Sequence, residues 1–428
     1  MQTWTQLLCV PQRFLPTVVC LACVSGGFAL AQEQSSTDWA QWRGPSRDGH
    51  LPAEAAPWRQ DLSNLTESWR VKLGPSYSGP IVSGDHVYIT ETIDKKLESV
   101  RAYNRQTGEE LWSTAWEGAM QVPFFAAANG SWIRSTPATD DDRVYIAGMR
   151  DVLVCLNTQN GETIWKIDFV EQFETPLPDF GFVCSPLVQE DAVYVQAGAS
   201  VFKLNKLTGE VIWQSMADGG GMFGSAFSSP MIAELHGTRQ LIVQTRTNLA
   251  GLSLQDGKEL WSQEIQAFRG MNILTPTVFQ GGIFTSAYGG KSEFYRISQQ
   301  DDATWKAELG WQNKTQGYMS SPVVIGDHAY LHLRNERATC INLASGEIAW
   351  TTKPFGKYWS MIANQDQILV LRAEGELLLL KANPEEFTVL DRKQVSEEST
   401  WAHLAVSGDQ VFVRGLNELI VYTWKAAE

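Results

Sequence analysis

The chain has 428 residues, of which 43% are hydrophobic and 17 are Trp, and its 48 acidic and 34 basic side chains give a net charge of −14. This composition predicts a globular chain with a large buried core and excludes a disordered one. The acidic balance argues against nucleic acid and against an anionic membrane surface as partners, because binding to either depends on Lys and Arg that neutralise phosphates.

The first 31 residues resemble a targeting segment. Arg13 precedes an apolar run, Phe14 to Ala31, and the run ends in Ala29-Leu30-Ala31, the small-x-small pattern of a signal-peptide cleavage site. We therefore expect a cleaved signal peptide over residues 1–31, with a membrane anchor as the alternative. Leu21-Ala22-Cys23 weakly resembles a lipoprotein box, so lipid anchoring remains a minor alternative.

Removal of residues 1–31 leaves three cysteines, Cys155, Cys184 and Cys340, which lie far apart in sequence. Each lies in an apolar, strand-like run, so we expect buried free thiols that act as small hydrophobic side chains. One disulfide among them is the alternative, although nothing in the spacing predicts it.

Within residues 32–65, the stretch from Trp39 to Gly49 contains two Trp and two Arg around Gly-Pro and Asp-Gly turn signals. We expect an ordered N-terminal arm that packs across the main body through Trp39 and Trp42. The alternative is that this arm plugs or lines a binding site.

A unit of the form Asn-x-x-Thr-Gly-Glu-x-x-Trp recurs along the rest of the chain, and its clearest copy runs from Asn205 to Trp213. Other copies end at Trp112, Trp165, Trp261 and Trp350. The Asn turns the chain by bonding its own backbone, the Gly supplies a positive φ, and the Trp lies in the next strand. Each copy therefore predicts a hairpin whose Trp fills the space between two stacked sheets.

A second signature precedes each unit and consists of a Ser/Thr-Pro step, a short apolar strand and a Val-Tyr strand. It occurs eight times, and the last two copies match it only weakly. The copies begin at Gly79, Thr136, Ser185, Ser229, Thr275, Ser321, Ser360 and Leu404. Aromatic residues that open the outer strand recur every 37–53 residues, at Trp69, Trp112, Trp165, Trp213, Trp261, Trp305, Trp350 and Phe387. Four short strands in about 40–50 residues is the length of a propeller blade.

The two ends of the repeat region complement each other. The region opens with a surplus strand, Ser68 to Leu73, and closes with the strand Leu419 to Tyr422, after which no further turn unit follows. We therefore predict an all-β fold over residues 66–428, an eight-bladed β-propeller closed by the N-terminal strand, which completes the last blade. An open solenoid would need capping repeats, which are not visible here.

The recurring unit resembles the tryptophan-docking motif of the pyrroloquinoline-quinone-like propellers. That superfamily includes quinoprotein alcohol dehydrogenases and the propeller lipoprotein of the outer-membrane β-barrel assembly machinery. Trp42-Arg43-Gly44-Pro45, with Asp48-Gly49, also resembles a leader of secreted bacterial members whose function is mostly undefined. The resemblance implies an eight-bladed fold and a periplasmic or secreted location, and it implies function far less, because one fold hosts many sites.

The quinoprotein enzymes cover their quinone with a disulfide between adjacent cysteines, hold calcium in a carboxylate-rich site and use an Asp base. This chain has no adjacent cysteine pair, and its tight acidic cluster, Asp140-Asp141-Asp142, falls in a predicted turn. We therefore expect no cofactor, neither pyrroloquinoline quinone (PQQ) nor calcium, and we assign no catalytic residue and no metal ligand. If the chain is an enzyme, the resemblance implies a quinoprotein-type oxidoreductase.

An aromatic residue precedes most of the Pro steps. Because the innermost strand of a propeller blade begins at the central channel, these side chains are expected to ring one mouth of that channel. The candidate ligand-binding residues are Tyr77, Trp132, Arg134, Phe182, Phe227, Asn272, Tyr318, Tyr358, Trp359, Trp401 and His403. Aromatic walls with a few polar groups suit a peptide, a sugar or a planar ligand. The alternative is that the rings pack between blades, although we expect Trp132, Tyr358 and Trp401 to be exposed.

The sequence favours a non-catalytic binding or scaffold propeller of the cell envelope, with an envelope protein, a peptide or a glycan as its partner. We expect a monomer with no membrane span after signal cleavage. The alternatives are a PQQ-dependent dehydrogenase with a reduced active site and a glycan-binding propeller.

Overall fold

The computed structural model describes residue 1 and residues 38–220 and 227–425. The predicted signal peptide over residues 1–31 lies outside the described residues, apart from the first. The described chain forms eight four-stranded antiparallel sheets, so the prediction of an all-β, eight-bladed propeller is confirmed. A helix long and apolar enough to span a membrane does not occur in the described residues.

The first strand, β1 (Leu65–Lys72), belongs to the last blade, and each other blade takes its four strands in chain order. Blades 1 and 2 contain β2 (Ile81–Ser83), β3 (His86–Ile93), β4 (Leu97–Asn104), β5 (Glu110–Glu117), β6 (Ala138–Thr139), β7 (Arg143–Gly148), β8 (Val152–Asn157) and β9 (Thr163–Asp168). Blades 3 and 4 contain β10 (Leu187–Gln189), β11 (Ala192–Ala197), β12 (Ser200–Asn205), β13 (Val211–Ser215), β14 (Met231–Leu235), β15 (Thr238–Gln244), β16 (Asn248–Ser253) and β17 (Glu259–Glu264).

The second half of the ring repeats this order. Blades 5 and 6 contain β18 (Thr277–Phe279), β19 (Gly282–Ser286), β20 (Ser292–Gln299), β21 (Trp305–Asn313), β22 (Val323–Ile325), β23 (His328–His332), β24 (Ala338–Asn342) and β25 (Ile348–Thr351). Blades 7 and 8 contain β26 (Trp359–Asn364), β27 (Gln367–Arg372), β28 (Glu376–Lys381), β29 (Thr388–Gln394), β30 (Ala405–Ser407), β31 (Gln410–Arg414) and β32 (Glu418–Trp424). Loops between blades carry the short helix α1 (Phe169–Phe173) and two 3-10 turns, Ala127–Asn129 and Phe268–Gly270.

Burial within a blade follows the position of each strand. Every residue of β11, a second strand, is buried, because neighbouring blades cover both of its faces. The outer strand β13 instead buries Trp213 between two exposed neighbours. The hydrophobic cores therefore lie between successive blades, where apolar side chains from two sheets meet.

The recurring Asn-Gly-Trp unit joins one blade to the next. The side chain of Asn205 accepts two backbone N–H groups of its own turn, and Gly209 takes a φ of 76°. The indole of Trp165, from the preceding blade, lies on this turn and donates its Nε1–H to the Lys206 carbonyl at 3.0 Å. A Cβ on Gly209 would lie 2.9 Å from that indole ring, so the position needs glycine both for its φ and for its contact.

Blade 5 departs from the regular docking pattern, although Trp305 opens its outer strand as the spacing predicts. In blade 5 the docked indole is that of Trp311, which donates to the Leu343 carbonyl at 2.7 Å, and Trp305 only opens the strand opposite Gln299. The turn before β21 is not an Asn-Gly unit, and β21 therefore pairs for several residues before it reaches the docking position. The Trp305 side chain instead lies near His236, with 6.2 Å between ring centroids.

The ring closes as predicted. Strand β1 pairs antiparallel with β32, from Leu65 opposite Trp424 to Lys72 opposite Glu418. Trp69 of β1 then docks on blade 1 and donates its indole N–H to the Arg105 carbonyl at 2.9 Å. The two ends of the repeat region therefore complete one sheet, in which β1 is the outer strand.

The described cysteines, Cys155, Cys184 and Cys340, are free and buried, as expected. Burial raises the pKa of each thiol to about 12.

Candidate functional site: a funnel at one mouth of the channel

A cavity of about 450 Å³ opens where the innermost strands begin, and we call it the funnel. Its wall includes eight of the eleven residues predicted from the sequence, Tyr77, Arg134, Phe227, Tyr318, Tyr358, Trp359, Trp401 and His403. It also includes Trp42 of the N-terminal arm, for which lining a binding site was the alternative prediction. The sequence analysis missed other wall residues, among them Phe125, Phe180, Phe268, Arg269 and Tyr288. A volume of this size is typical of sites for drug-sized ligands.

One side of the funnel is a continuous arc of aromatic rings. Tyr77 stacks on Trp401 at a centroid distance of 5.0 Å, and Trp401 meets Tyr358 edge-on at 4.5 Å. Tyr358 lies 6.1 Å from Tyr318, which lies 4.9 Å from Tyr288. Each ring therefore supports the next, and the arc is pre-organised as a binding surface.

On the opposite side of the funnel, the aromatic surface includes the cation Arg269. The guanidinium of Arg269 lies 5.2 Å from the ring centroid of Phe268 and 5.7 Å from that of Phe125. Phe180 then links Phe125, at 6.3 Å, to Phe227, at 5.8 Å. Aromatic rings therefore line most of the circumference of the mouth.

Arg134 supplies a second cation to the wall. Its guanidinium lies 6.0 Å from the Tyr77 ring centroid and donates to the carbonyls of Trp132 and Gly130 at 3.3 and 3.4 Å. Burial lowers the pKa of Arg134 to about 10, so the side chain stays protonated at neutral pH. Among the described residues, no Asp or Glu lines the funnel, so its wall is positive in a chain of net charge −14.

The N-terminal arm forms the floor of the funnel. Trp39 exchanges two backbone hydrogen bonds with Val82 of the innermost strand β2, both of 3.0 Å. Trp42 then enters the cavity wall, donates its indole N–H to Thr275 Oγ1 at 3.1 Å and meets His403 edge-on at 4.9 Å. Burial lowers the pKa of His403 to about 3, so this ring is neutral.

Two buried arginines fasten the arm. Arg47 donates to the carbonyls of Ser185 and Pro186 at 2.9 and 2.7 Å, and Arg43 donates to the carbonyl of Pro322. Both guanidinium groups are at most 2% exposed, and burial lowers the pKa of Arg43 to about 10 and that of Arg47 to about 9. Both charges are therefore held by carbonyl oxygens, which reduce the cost of their burial.

The arm also bonds to the innermost strands of blades 2 and 7. The N–H of Thr139 donates to the Ala40 carbonyl at 2.9 Å, and Gly49 and Leu51 bond on either side to Ala363. The described arm thus spans the central channel and contacts blades on all sides of it. It packs through Trp39 and, through Trp42, it closes the inner end of the funnel.

Three predicted residues lie outside the funnel wall. Phe182 is buried in the joint between blades 2 and 3, at 6.1 Å from Phe169. Asn272 is 1% exposed and donates its amide to the Thr245 carbonyl at 3.1 Å. Trp132 is half-buried beside the funnel, and its carbonyl accepts the bond from Arg134.

Register relative to the Pro explains which side chains reach the cavity. The third residue before each of six Pro steps lines it, namely Tyr77, Arg134, Val183, Phe227, Ile273 and Met319. Side chains alternate in an extended chain, so at Phe182 and Asn272 the fourth residue turns between blades, whereas Tyr318, the fourth residue before Pro322, departs from this alternation and lines the funnel. This offset is a sequence signal that identifies the wall. Phe125, Phe180 and Phe268 lie on irregular loops and carry no such signal.

The funnel does not fit a carboxylate-bound calcium. Calcium takes six to eight oxygen ligands that include carboxylates, and the described wall offers hydroxyls but no carboxylate. Within residues 38–220 and 227–425, no three His, Cys, Asp or Glu side chains group closely enough to hold a metal. Asp140, in the acidic cluster, instead pairs with Lys206 at 2.9 Å in its turn.

Comparison with known proteins places this fold in a family. The family model described as outer membrane protein assembly factor BamB matches residues 96–352, which is more than half of the chain. BamB of Yersinia pestis is 20% identical over 301 residues, which cover 67% of this chain and 70% of that protein. An uncharacterized protein of Rickettsia conorii, RC0314, is 28% identical over 144 residues, and the chain spans only 32% of its length.

Solved structures share the fold. BamB from Moraxella catarrhalis superposes with a TM-score of 0.60 at 15% identity, over 85% of this chain and 99% of that one. The quinohemoprotein alcohol dehydrogenase ADHIIG of Pseudomonas putida HK5 gives a TM-score of 0.63 at 12% identity, over 92% and 81%. At these identities the likeness shows the propeller fold alone. The match of the family model is what assigns the chain, which belongs to the BamB family of PQQ-like eight-bladed propellers.

Proposed function

We propose that this chain is a non-catalytic binding propeller of the cell envelope that holds a protein partner at the funnel and its rim. The observation that carries the proposal is the funnel itself, an aromatic ring closed below by Trp42 and open above. The envelope location rests on the predicted signal peptide and on relatives named for outer-membrane protein assembly.

The rim of the funnel supports a macromolecular partner. Phe124 is 92% exposed and Phe125 is 55% exposed on one loop, and Phe268 and Met319 are also exposed across the mouth. Aromatic residues, Met and Arg are the types enriched at protein interfaces, whereas Lys, Asp and Glu are depleted there. Apolar side chains clustered around one opening mark a site of interaction.

The titratable groups of the wall support binding over catalysis. A general acid or base works best with a pKa near the operating pH. Burial lowers the pKa of His403 to about 3, and its Nδ1 bonds the Leu404 carbonyl at 2.8 Å. Burial raises the pKa of Tyr358 to about 12. Neither group exchanges protons readily near neutral pH.

Site-specific cross-linking in cells tests the proposal. A photoreactive phenylalanine analogue at position 125 faces the funnel, whereas the same analogue at position 207 lies in the exposed turn after β12 and serves as the control. We expect one saturable protein adduct at position 125, recovered in the envelope fraction, and none at position 207. Tyr358→Ala with Trp401→Ala should reduce the adduct at least tenfold. Equal labelling at both positions, or an adduct unchanged by the double substitution, would overturn the proposal.

A second experiment addresses redox activity. Purified protein is titrated with PQQ and calcium while tryptophan fluorescence and alcohol-dependent dye reduction are followed. We expect no dye reduction at any ratio of quinone to protein. Sustained turnover would make the chain an oxidoreductase and overturn the non-catalytic assignment.

A further inference from the structure

We propose that the funnel selects a peptide segment in which aromatic side chains alternate with carboxylates. This inference rests on the proposed function, because it specifies the chemistry of the partner segment that the funnel holds. It concerns the charge of the wall, whereas the proposed function concerns only its shape and aromatic character.

The charge of the funnel wall is complementary to an acidic ligand. The guanidinium groups of Arg134 and Arg269 both lie at the wall, and no carboxylate of the described residues lines it. The chain as a whole has a net charge of −14, so a positive cavity contrasts with its overall charge. An acidic group is attracted inside the funnel, where low dielectric strengthens the interaction, and a basic group is repelled there.

The two cations of the wall each lie beside an aromatic ring. The Arg134 guanidinium lies 6.0 Å from the Tyr77 ring centroid, and that of Arg269 lies over Phe125 and Phe268. Each cation therefore sits next to a ring on which a ligand ring can stack. A ligand satisfies both features when its anionic and aromatic groups are adjacent, and guanidinium groups bind carboxylates through paired N–H donors.

The extent of the apolar surface favours a peptide over a free small molecule. The cavity of about 450 Å³ takes a few side chains and excludes a folded domain. Phe124 lies on the same loop as the wall residue Phe125, but it is 92% exposed and lies outside the cavity wall. A ligand confined to the cavity would therefore leave Phe124 uncovered. An extended segment that inserts side chains and crosses the rim covers both surfaces.

Binding of designed peptides to the full-length protein tests the inference. The probe is an acetylated, amidated pentapeptide that alternates Phe and Asp and carries a neutral dye, and its binding is measured by fluorescence polarisation. Matched peptides replace Asp with Asn or with Lys. We expect the Asp peptide to bind at least tenfold tighter than the Lys peptide. Raising the salt concentration should narrow this difference.

Substitutions at the wall assign the effect to the two cations. Arg134→Gln and Arg269→Gln should each weaken binding of the Asp peptide 3- to 10-fold and weaken binding of the Asn peptide by a smaller factor, whereas Arg134→Lys should retain the preference for Asp. Arg239→Gln, at an exposed arginine paired with Glu190, is the control and should change neither peptide. Intact folding is checked by circular dichroism, and the Asn peptide reports the aromatic surface independently.

Each outcome separates the two proposals. Equal affinity for the Asp and Lys peptides would overturn the inference and leave the binding propeller intact. Competition by N-acetylphenylalanine at the same concentration as the pentapeptide would overturn the peptide assignment. Failure of every peptide to bind, while the adduct at position 125 persists, would also overturn the inference alone. Loss of that adduct's specificity would overturn the proposed function.

Discussion

Five repeat turns carry a glycine against which an indole lies, namely Gly108, Gly161, Gly209, Gly257 and Gly346. Each is predicted to matter for that reason, and Gly161 provides the clearest test. Its φ is 72°, and a Cβ placed there would lie 2.5 Å from Trp112 Cε3 and 2.8 Å from Thr114 Oγ1. Gly237 has a nearly identical φ of 76°, yet a Cβ placed there would meet nothing within 4 Å. The pair Gly161→Ala and Gly237→Ala therefore separates the backbone cost from the cost of the contact.

The expected magnitudes follow from these two environments. A left-handed conformation costs an alanine about 1–2 kcal/mol, offset by roughly 0.4–1 kcal/mol because alanine restricts the unfolded chain. Gly237→Ala should therefore lower the free energy of unfolding by about 1 kcal/mol. Gly161→Ala adds overpacking against Trp112, which costs about 1–3 kcal/mol more. The contact with the indole therefore predicts a clearly larger loss at the repeat glycine.

Urea denaturation, followed by tryptophan fluorescence and circular dichroism, measures both variants against the unsubstituted protein. The midpoint should fall further for Gly161→Ala, while the dependence of the unfolding free energy on urea concentration stays unchanged. Equal shifts of the midpoint for the two variants would refute the argument that the docked indole fixes glycine at this turn.

Three further predictions concern buried polar groups. Arg43→Lys should destabilise the protein by about 1.5–3 kcal/mol, because a lysine cannot reproduce the charged hydrogen bonds to the arm and to Pro322; urea denaturation with Arg59→Lys as control measures this loss. Burial raises the pKa of Glu98 from 4.5 to about 8, so between these pH values the folded state retains a proton that the unfolded state has lost. The free energy of unfolding should therefore fall as the pH rises from about 4.5 to 8. Glu98→Gln should make the free energy of unfolding less dependent on pH in this range. Iodoacetamide at pH 8 should leave Cys184 unmodified in the native protein and modify it in urea, as mass spectrometry would show; native labelling would contradict its burial.

The recurring turn and strand motifs made the fold predictable. The Asn205 turn and the Trp165 indole are local consequences of residue type, so reading them from sequence requires no knowledge of distant contacts. Closure followed from one surplus strand and one missing strand, and β1 does pair with β32. Trp305 opens β21 as its spacing predicts, but spacing alone cannot distinguish a Trp that opens a strand from one that docks on the next blade, which here is Trp311.

The funnel was only partly predictable. Tyr77 and Phe227 stand at a fixed offset from a Pro, so their position on the wall follows from strand alternation. Phe182 stands one residue further from its Pro and turns into the joint between blades. Phe125 and Phe268 reach the mouth on irregular loops, whose paths depend on tertiary packing and carry no periodic signal. The role of Trp42 as the floor likewise depends on contacts with residues more than two hundred positions away.

The pairing of β1 with β32 also sets the order in which this chain can mature. Leu65 is synthesised long before its partner Trp424, so blade 8 cannot form until β32 has been made. Until then β1 carries an unpaired edge, which is the kind of surface that drives mispairing and aggregation. Pairing across so many residues is also slow, because a long loop must close before any contact stabilises it. A product truncated before β32 would keep this edge exposed and remain open to proteases, so synthesis through β32 is itself the condition for a protected ring.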